Sequence, residues 1–370
     1  MDKHVLCRFD GLITQNRYGS IDAIACQFTI RAIHNKTLSG KTMVYRIMKL
    51  ALACVITATL GSAFAAERIK LGYLVKQPEE AWFQTEWAYA EKAGKDLGFD
   101  VIKIGVPDGD KTLAAIDKLA ADGAKGFVIC APDPKLGTAI MEKAASLNLR
   151  VVTVDDRLQD KMGLFMDDVP LMMMAARRIG DRQGQEMLKE MRRRGWKPSE
   201  SGALIITAEG LETARLRTDG ATTALRVGGF HAANIFSTPT ESNDIPGAQA
   251  AAKAFLETKK FKNWVIAGMN DNTVLGGVRA TEEHGYKAEN VIGVGINGVD
   301  AVGELSKDEP TGFYGSMLPS PDVHGYKSIE MLYNWVAKNV EPPKFVEVAD
   351  TVLITRDNFE SELKKKGLGK

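Results

Sequence analysis

Short apolar runs alternate with helical repeats along the chain from residue 68 onward. A continuous apolar run of about four to eight residues predicts a buried strand, and apolar residues every three or four positions predict a helix. In the first half, strands are predicted at 69–75, 101–106, 127–130 and 151–154, separated by helices at 82–97, 112–122 and 136–147. Since repeated strand–helix alternation requires parallel strands joined by right-handed crossovers, this half predicts a doubly wound α/β sheet.

A long stretch at 170–194 is predicted to be helical, and the alternation restarts after it. The later strands are predicted at 203–207, 234–237, 264–268, 291–296, 312–316 and 352–354, with helices at 213–227, 248–258, 273–284, 323–338 and 358–365. About ten parallel strands would be long for one open twisted sheet, so the pattern favours two doubly wound parallel-sheet lobes. The last elements are too few for a third domain and are expected to cross back between the lobes.

The region before residue 67 has the pattern of a targeting segment. Arg46 and Lys49 precede an apolar run at 50–60, which is too short to span a bilayer, and small residues follow it as far as Ala65 and Ala66. This order is typical of a secretory signal peptide, here residues 43–66, cleaved after Ala65 or Ala66.

Two further features of the amino terminus need an interpretation. Residues 1–42 fit no signal design and are interpreted as an over-long gene start, outside the mature protein. Lipidation of Cys54 is an alternative to simple cleavage. It is not favoured, because the usual leucine is missing three places before this cysteine and cleavage there would leave an apolar tail.

Composition limits the class of protein further. The net charge is +1, but residues 1–66 hold eight basic and three acidic residues, which leaves the remainder at about −4. That part of the chain is mildly acidic, so nucleic-acid binding is not expected. Cys130 is the only cysteine beyond residue 66, so that part of the chain cannot form a disulfide framework. Its position in an apolar strand is typical of a buried small hydrophobe.

Polar and aromatic side chains follow five of the predicted strands, at the edge where open α/β sheets bind ligands. They are Lys76, Glu80, Trp82, Phe83, Asp155, Asp156, Thr213, Arg217, Asn270, Asn297 and Asp300. Sugar hydroxyls both donate and accept hydrogen bonds, so carboxylates, amides and guanidinium groups suit them, and aromatic rings pack on the apolar face of a sugar. Taken singly, these residues could also be caps, turns or core, but together they favour a sugar site.

Enzymatic and metal sites are less well supported. The segment 293–298 fits the spacing G-x-G-x-x-G, but two of its glycines lie inside a predicted strand and no acidic residue follows at the required distance. His231, His284 and His324 stand apart with no partner at ligand spacing, so no metal site is predicted. The adjacent acids Asp155 and Asp156 would point apart on an extended chain, which argues against an acid–base pair.

Six segments together resemble L-arabinose-binding members of the type I periplasmic sugar-binding protein family. They are residues 70–84, 126–130, 154–156, 268–271, 295–300 and 315–325, and the similarity runs over essentially all of residues 68–370. The resemblance implies two α/β lobes joined by three crossover segments, expected near 174–176, 318–320 and 349–351. It places residues 67–174 and 320–349 in the first lobe and residues 175–319 and 350–370 in the second.

The resemblance also implies a ligand, partners and site residues. The expected ligand is L-arabinose, with D-galactose as a second sugar, and the expected partners are the membrane permease and ATPase of an ABC importer. The implied sugar contacts are Lys76, Glu80, Asp155, Asp156, Arg217, Asn270, Asn297 and Asp300. The implied surrounding residues are Trp82, Phe83, Cys130, Met174, Leu211, Thr213 and Met269. A monomer in the periplasm with no cofactor is expected.

Other functions remain as alternatives. A ligand-responsive repressor shares the two-lobe fold but would need a helix-turn-helix before the first lobe, where the signal peptide stands. A sugar-modifying enzyme would need a poised nucleophile or acid pair, and none is apparent. Binding of another pentose or hexose, and presentation of the sugar to a chemoreceptor, stay open.

Overall fold

Apolar runs form strands that are covered on both faces, as the continuous hydrophobic pattern requires. Every residue of Gly126–Cys130 and Ser201–Thr207 is buried, for example. The computed structural model describes residues 68–368. The predicted signal peptide at 43–66 and the interpreted over-long start at 1–42 lie outside the described residues.

The first lobe, called lobe 1, is built on a six-stranded parallel sheet. Its strands, in spatial order and numbered along the chain, are β11 (Phe345–Val348), β5 (Leu171–Met174), β4 (Arg150–Val154), β3 (Gly126–Cys130), β1 (Lys70–Val75) and β2 (Asp100–Gly105). Its helices are α1 (Ala81–Leu97), α2 (Gly109–Ala121), α3 (Gly137–Ser146) and α9 (Pro321–Lys338). Residues of α1 and α9 pack on one face of the sheet, and residues of α2 and α3 pack on the other.

Lobe 2 repeats this design with a second six-stranded sheet. Its strands, in spatial order, are β12 (Val352–Thr355), β10 (Phe313–Leu318), β9 (Val291–Ile296), β8 (Asn263–Gly268), β6 (Ser201–Thr207) and β7 (Ile235–Pro239). Its helices are α4 (Ala176–Arg193), α5 (Glu212–Val227), α6 (Ile245–Leu256), α7 (Asp271–Glu283), α8 (Val302–Leu305) and α10 (Phe359–Lys365). The edge strand β12 is antiparallel to β10, and the other pairs are parallel.

The chain passes between the two sheets three times in the described region. It leaves lobe 1 after β5, returns after β10 to form α9, and leaves again between β11 and β12. Two doubly wound α/β lobes are therefore confirmed. Because the central strands of each sheet are parallel, their carboxyl ends lie together at one edge, which is the edge where such sheets bind ligands.

The prediction of one helix over 170–194 is wrong at its beginning. Leu171–Met174 is a buried strand, β5, and the helix begins only at Ala176. Leucine and methionine are good helix formers, so local propensity concealed a strand that pairing with β4 and β11 stabilises. The strand β11 was not predicted, because its residues alternate between exposed and half-buried and are not uniformly apolar.

Candidate ligand-binding site between the lobes

A cavity lies between the two lobes at the carboxyl ends of their strands. It contains about 370 Å³ of space free of protein atoms, part of which is open to solvent. Its lining residues are Lys76, Gln77, Glu80, Trp82, Phe83 and Asp155 from lobe 1, with Leu211, Thr213, Arg217, Met269, Asn270 and Asn297 from lobe 2. Most residues singled out from the sequence therefore line one cavity.

Asp156 ties the two lobes together at the base of the cavity. Its carboxylate accepts from Lys76 Nζ at 3.1 Å within lobe 1, and from Thr213 N at 3.0 Å and Thr213 Oγ1 at 2.8 Å in lobe 2. Thr213 lies in the first turn of α5, where backbone N–H groups favour an anion. Burial alone would raise the pKa of Asp156, but Lys76 and the Thr213 donors outweigh it and lower that pKa.

Asp155 lies beside Asp156 but makes different contacts. Its φ of 64° is left-handed, so the backbone here is not extended as the sequence interpretation assumed. The Cys130 thiol lies 3.7 Å from Asp155 Oδ2, and His324 Nδ1 lies 3.6 Å from Asp155 Oδ1. Although the reason given was wrong, the two carboxylates do contact different groups, and they do not form an acid–base pair.

Arg217 brings a buried guanidinium to the cavity from the second turn of α5. It donates to the backbone oxygen of Met269 at 2.6 Å, and its Nη2 contacts the sulfur of Met174 at 2.9 Å. Its Nε has no protein partner among the described residues. Burial lowers the pKa of Arg217, yet a guanidinium remains charged in proteins.

Polar groups from both lobes meet at the rim of the cavity. Glu80 accepts from Gln77 at 2.9 Å and from Asn272 of lobe 2 at 3.5 Å. Asp300 of lobe 2 accepts from the backbone N–H of Ala81 at 3.1 Å. Burial, with the nearby negative charge of Asp300, raises the pKa of Glu80 to about 7. The rim therefore brings two acids from opposite lobes close together.

The two asparagines of lobe 2 are held by local structure. Asn270 caps α7, and its side-chain oxygen accepts from Thr273 N at 2.9 Å. Asn297 has a φ of 116°. A hydrogen bond from Gly298 N to the Asp271 carboxylate, 2.8 Å long, holds the turn that contains Asn297. The cap and turn explanations of these residues are thus correct, and both side chains also line the cavity.

Several residues implied by the resemblance lie behind the cavity surface. Cys130, Asp156, Met174 and Asp300 contact lining residues instead of lining the cavity themselves. Gln77 and Asn272 were not predicted. Gln77 stands in the same strand-end loop as Lys76, and Asn272 follows Asn270 by two places. Their closeness to predicted site residues in the sequence is the signal that could have identified them.

Residues 68–362 match the family model described as periplasmic binding proteins and sugar binding domain of the LacI family. That span takes in both sheets and every residue that lines the cavity. The chain belongs to this family. Within the described residues of this periplasmic binding protein, no helix is both long and apolar enough to cross a membrane.

Two curated relatives are similar to this periplasmic binding protein over most of its length. The L-arabinose-binding periplasmic protein of Escherichia coli (strain K12) is 63% identical over 326 residues, which are 88% of this chain and 99% of the relative. The ABC transporter L-arabinose-binding periplasmic protein of Azospirillum brasilense is 46% identical over 329 residues, 88% of this chain and 98% of that one. These relatives confirm the resemblance, and both are named as binding proteins.

A solved structure is similar in fold. It is an ABC transporter periplasmic solute binding protein from Actinobacillus succinogenes 130z with bound D-allose. The TM-score is 0.67 at 16% identity, with 80% of this chain and 100% of that chain covered. At this low identity the likeness concerns the two-lobe fold alone.

Proposed function

We propose that this protein binds L-arabinose in the periplasm and delivers it to an ABC importer. The observation that carries the proposal is the cavity between the lobes, whose polar and aromatic lining suits a small neutral sugar. The 63% sequence identity of this chain to an L-arabinose-binding periplasmic protein supports this choice of sugar. The relatives are periplasmic, and the predicted signal peptide at 43–66 agrees with export.

The chemistry of the cavity supports a sugar over a charged ligand. The lining offers acceptors in Glu80 and Asp155 and donors in Lys76 and Arg217, while the amides of Asn270 and Asn297 supply both. Acidic and basic groups are balanced, so no single charge on a ligand is favoured. Trp82 and Phe83 provide flat apolar surface for the C–H face of a pyranose ring.

Transport requires partners outside this chain. We infer that a membrane permease and its ATPase receive the sugar from a monomer of this protein, as in an ABC importer. Nucleic acid is not a proposed partner, since the surface beyond the signal region is not basic.

Calorimetry on the protein purified from the periplasm tests the proposed ligand. We expect tight binding of L-arabinose, weaker or comparable binding of D-galactose, and strong discrimination against D-glucose. Identification of the sugar that co-purifies with the protein is an independent arm. Absence of heat with both L-arabinose and D-galactose at millimolar sugar would refute the proposal.

A further inference from the structure

Three ionisable side chains meet behind the cavity wall in lobe 1. They are Glu86 on α1, His324 in the first turn of α9, and Asp155 at the end of β4. His324 Nδ1 lies 3.7 Å from Glu86 Oε1 and 3.6 Å from Asp155 Oδ1. Glu86 and His324 are 0% exposed, so the cluster is closed to solvent except through Asp155.

Close packing of two helices fixes this cluster. Gly325, the neighbour of His324, lies against the backbone of Glu86, and a Cβ at this glycine would overlap it. Any larger residue would separate α1 from α9. Glu86 and His324 are therefore held at a set distance by the backbone contact of their helices.

The cluster has little compensation for negative charge. Among the described residues, no hydrogen bond of normal length reaches the Glu86 carboxyl oxygens, Asp155 Oδ1 or the ring nitrogens of His324. Trp82 and Tyr73 lie near the Glu86 carboxyl and partly offset the rise of its pKa, but burial outweighs them. The nearest cations have other partners: Lys76 pairs with Asp156, and Arg217 donates to the backbone of Met269. Two ionised carboxylates in such a dry site would repel each other strongly, so one of them keeps its proton.

The environment of each group indicates which one is neutral. Burial raises the pKa of Glu86 well above its ordinary value, and the adjacent Asp155 raises it further. Burial lowers the pKa of His324, so the imidazole is neutral at pH 7. The other charged or titratable groups that act on the cluster are Tyr73, Lys76, Cys130, Arg217 and Asp322.

We propose that Glu86 and His324 are positioning residues of the sugar site, which hold the Asp155 carboxylate from behind and leave it as the only negative charge of the cluster. Glu86 acts as a neutral acid and His324 as a neutral imidazole. His324 also contacts the Trp82 ring edge to face, with centroids 5.7 Å apart. One imidazole therefore backs both a polar and an aromatic residue of the cavity. The proposal rests on the proposed function, since Asp155 matters only if it contacts the sugar.

Paired substitutions separate this role from simple packing. Glu86→Ala is expected to weaken L-arabinose binding by about tenfold or more, because the Asp155 carboxylate is then no longer held in position by the groups behind it. Glu86→Gln keeps the shape of a neutral acid and is expected to recover most of that loss. In the same way, His324→Phe weakens binding, and His324→Asn, which restores an N–H group, recovers part of it. Glu91→Gln, at a surface ion pair of the same helix, is the matched control and leaves affinity unchanged.

Stability against pH provides a readout that packing alone would not change. Folded Glu86 holds a proton that the unfolded chain releases above its ordinary pKa of 4.5, so it makes stability fall as pH rises beyond that value. Glu86→Gln removes this contribution. As pH rises above this ordinary value, the unfolding constant of the variant should therefore increase less steeply than that of the parent protein.

Specific outcomes would overturn the proposal. An unchanged pH slope in Glu86→Gln, or affinity as poor as that of Glu86→Ala, would mean that Glu86 is ionised in the folded protein. A rise in the parent's unfolding temperature with Zn²⁺, lost in Glu86→Gln, would make the cluster a cation site. If Glu86→Ala does not fold, the Glu86→Gln and His324→Asn variants still test the positioning role. If the parent fails to bind L-arabinose, the proposed function fails; normal binding by parent and all variants refutes only the positioning role.

Discussion

The two walls of the cavity differ in chemistry. The wall from lobe 1 is mainly acidic: Lys76, Glu80, Asp155 and the aromatic pair line it, and Asp156 lies directly behind Lys76. The wall from lobe 2 is rich in donors and consists of Thr213, Arg217, Asn270 and Asn297. Hydrogen bonds cross between the walls, from Thr213 to Asp156 and from Ala81 to Asp300. Each wall alone therefore offers only part of what a sugar requires, and the complete site exists only when the lobes meet.

Removing one charged group from each wall should have the largest effect. Arg217→Ala and Asp156→Ala are each expected to cost at least about 2 kcal/mol of L-arabinose binding, since a buried charged hydrogen bond is lost and its partner stays unpaired. Calorimetry measures both. Arg215→Ala, at an exposed position on the same helix, is the control. Affinities of the first two variants within about twofold of the parent would exclude these residues from the site.

The rim should make binding depend on pH. Burial, with the nearby charge of Asp300, raises the pKa of Glu80 from its ordinary value of 4.5 to about 7, and we expect both effects to arise only when the lobes are closed. The closed form therefore holds a proton that an open or unfolded chain releases over this range, so closure and stability both weaken as pH rises from about 5 to about 7. We expect L-arabinose affinity to be severalfold higher at pH 5.5 than at pH 8, and Glu80→Gln to flatten this dependence. A parent and variant with the same pH profile would contradict it.

The rate of thiol labelling at Cys130 should change when sugar occupies the lobe 1 wall, and this is the smallest of the expected effects. Its thiol is fully buried beside Asp155, and burial raises its pKa, so the reactive thiolate is scarce. Labelling by a thiol reagent should be slow and should slow further with saturating L-arabinose. The unfolded protein serves as the reference for complete labelling. Equal rates with and without sugar would place Cys130 away from the bound ligand.

Sequence patterns were sufficient to predict the two lobes and most of the cavity lining. Strand ends in a parallel sheet meet at one edge, so residues such as Lys76, Asp155 and Asn270 could be grouped without knowing their contacts. The strand β5 was missed because its methionines favour a helix until neighbouring strands pair with it. The hydrophobic pattern of a segment does not contain the energy of its pairing with distant strands, so the pattern alone could not identify β5.

The cluster of Glu86, Asp155 and His324 could not be predicted from spacing. His324 follows a crossing from lobe 2 back to lobe 1, so only the three-dimensional path of the chain brings it near Glu86. One signal was present. Glu86 lies among Trp82, Trp87 and Ala90 on the buried face of α1, and an acid on an apolar helix face requires an explanation.

Closure of the two lobes over the sugar is the central claim, because each wall supplies only part of the polar set. A sugar that contacts both walls binds the closed state better than the open one, and this difference in affinity is what shifts the equilibrium. Hinge closure is the general behaviour of periplasmic binding proteins, and we expect the three chain crossings to provide the hinge here. Solution scattering with and without L-arabinose measures it directly. We predict a smaller radius of gyration with sugar; an unchanged radius in a sample where binding is confirmed would contradict the account.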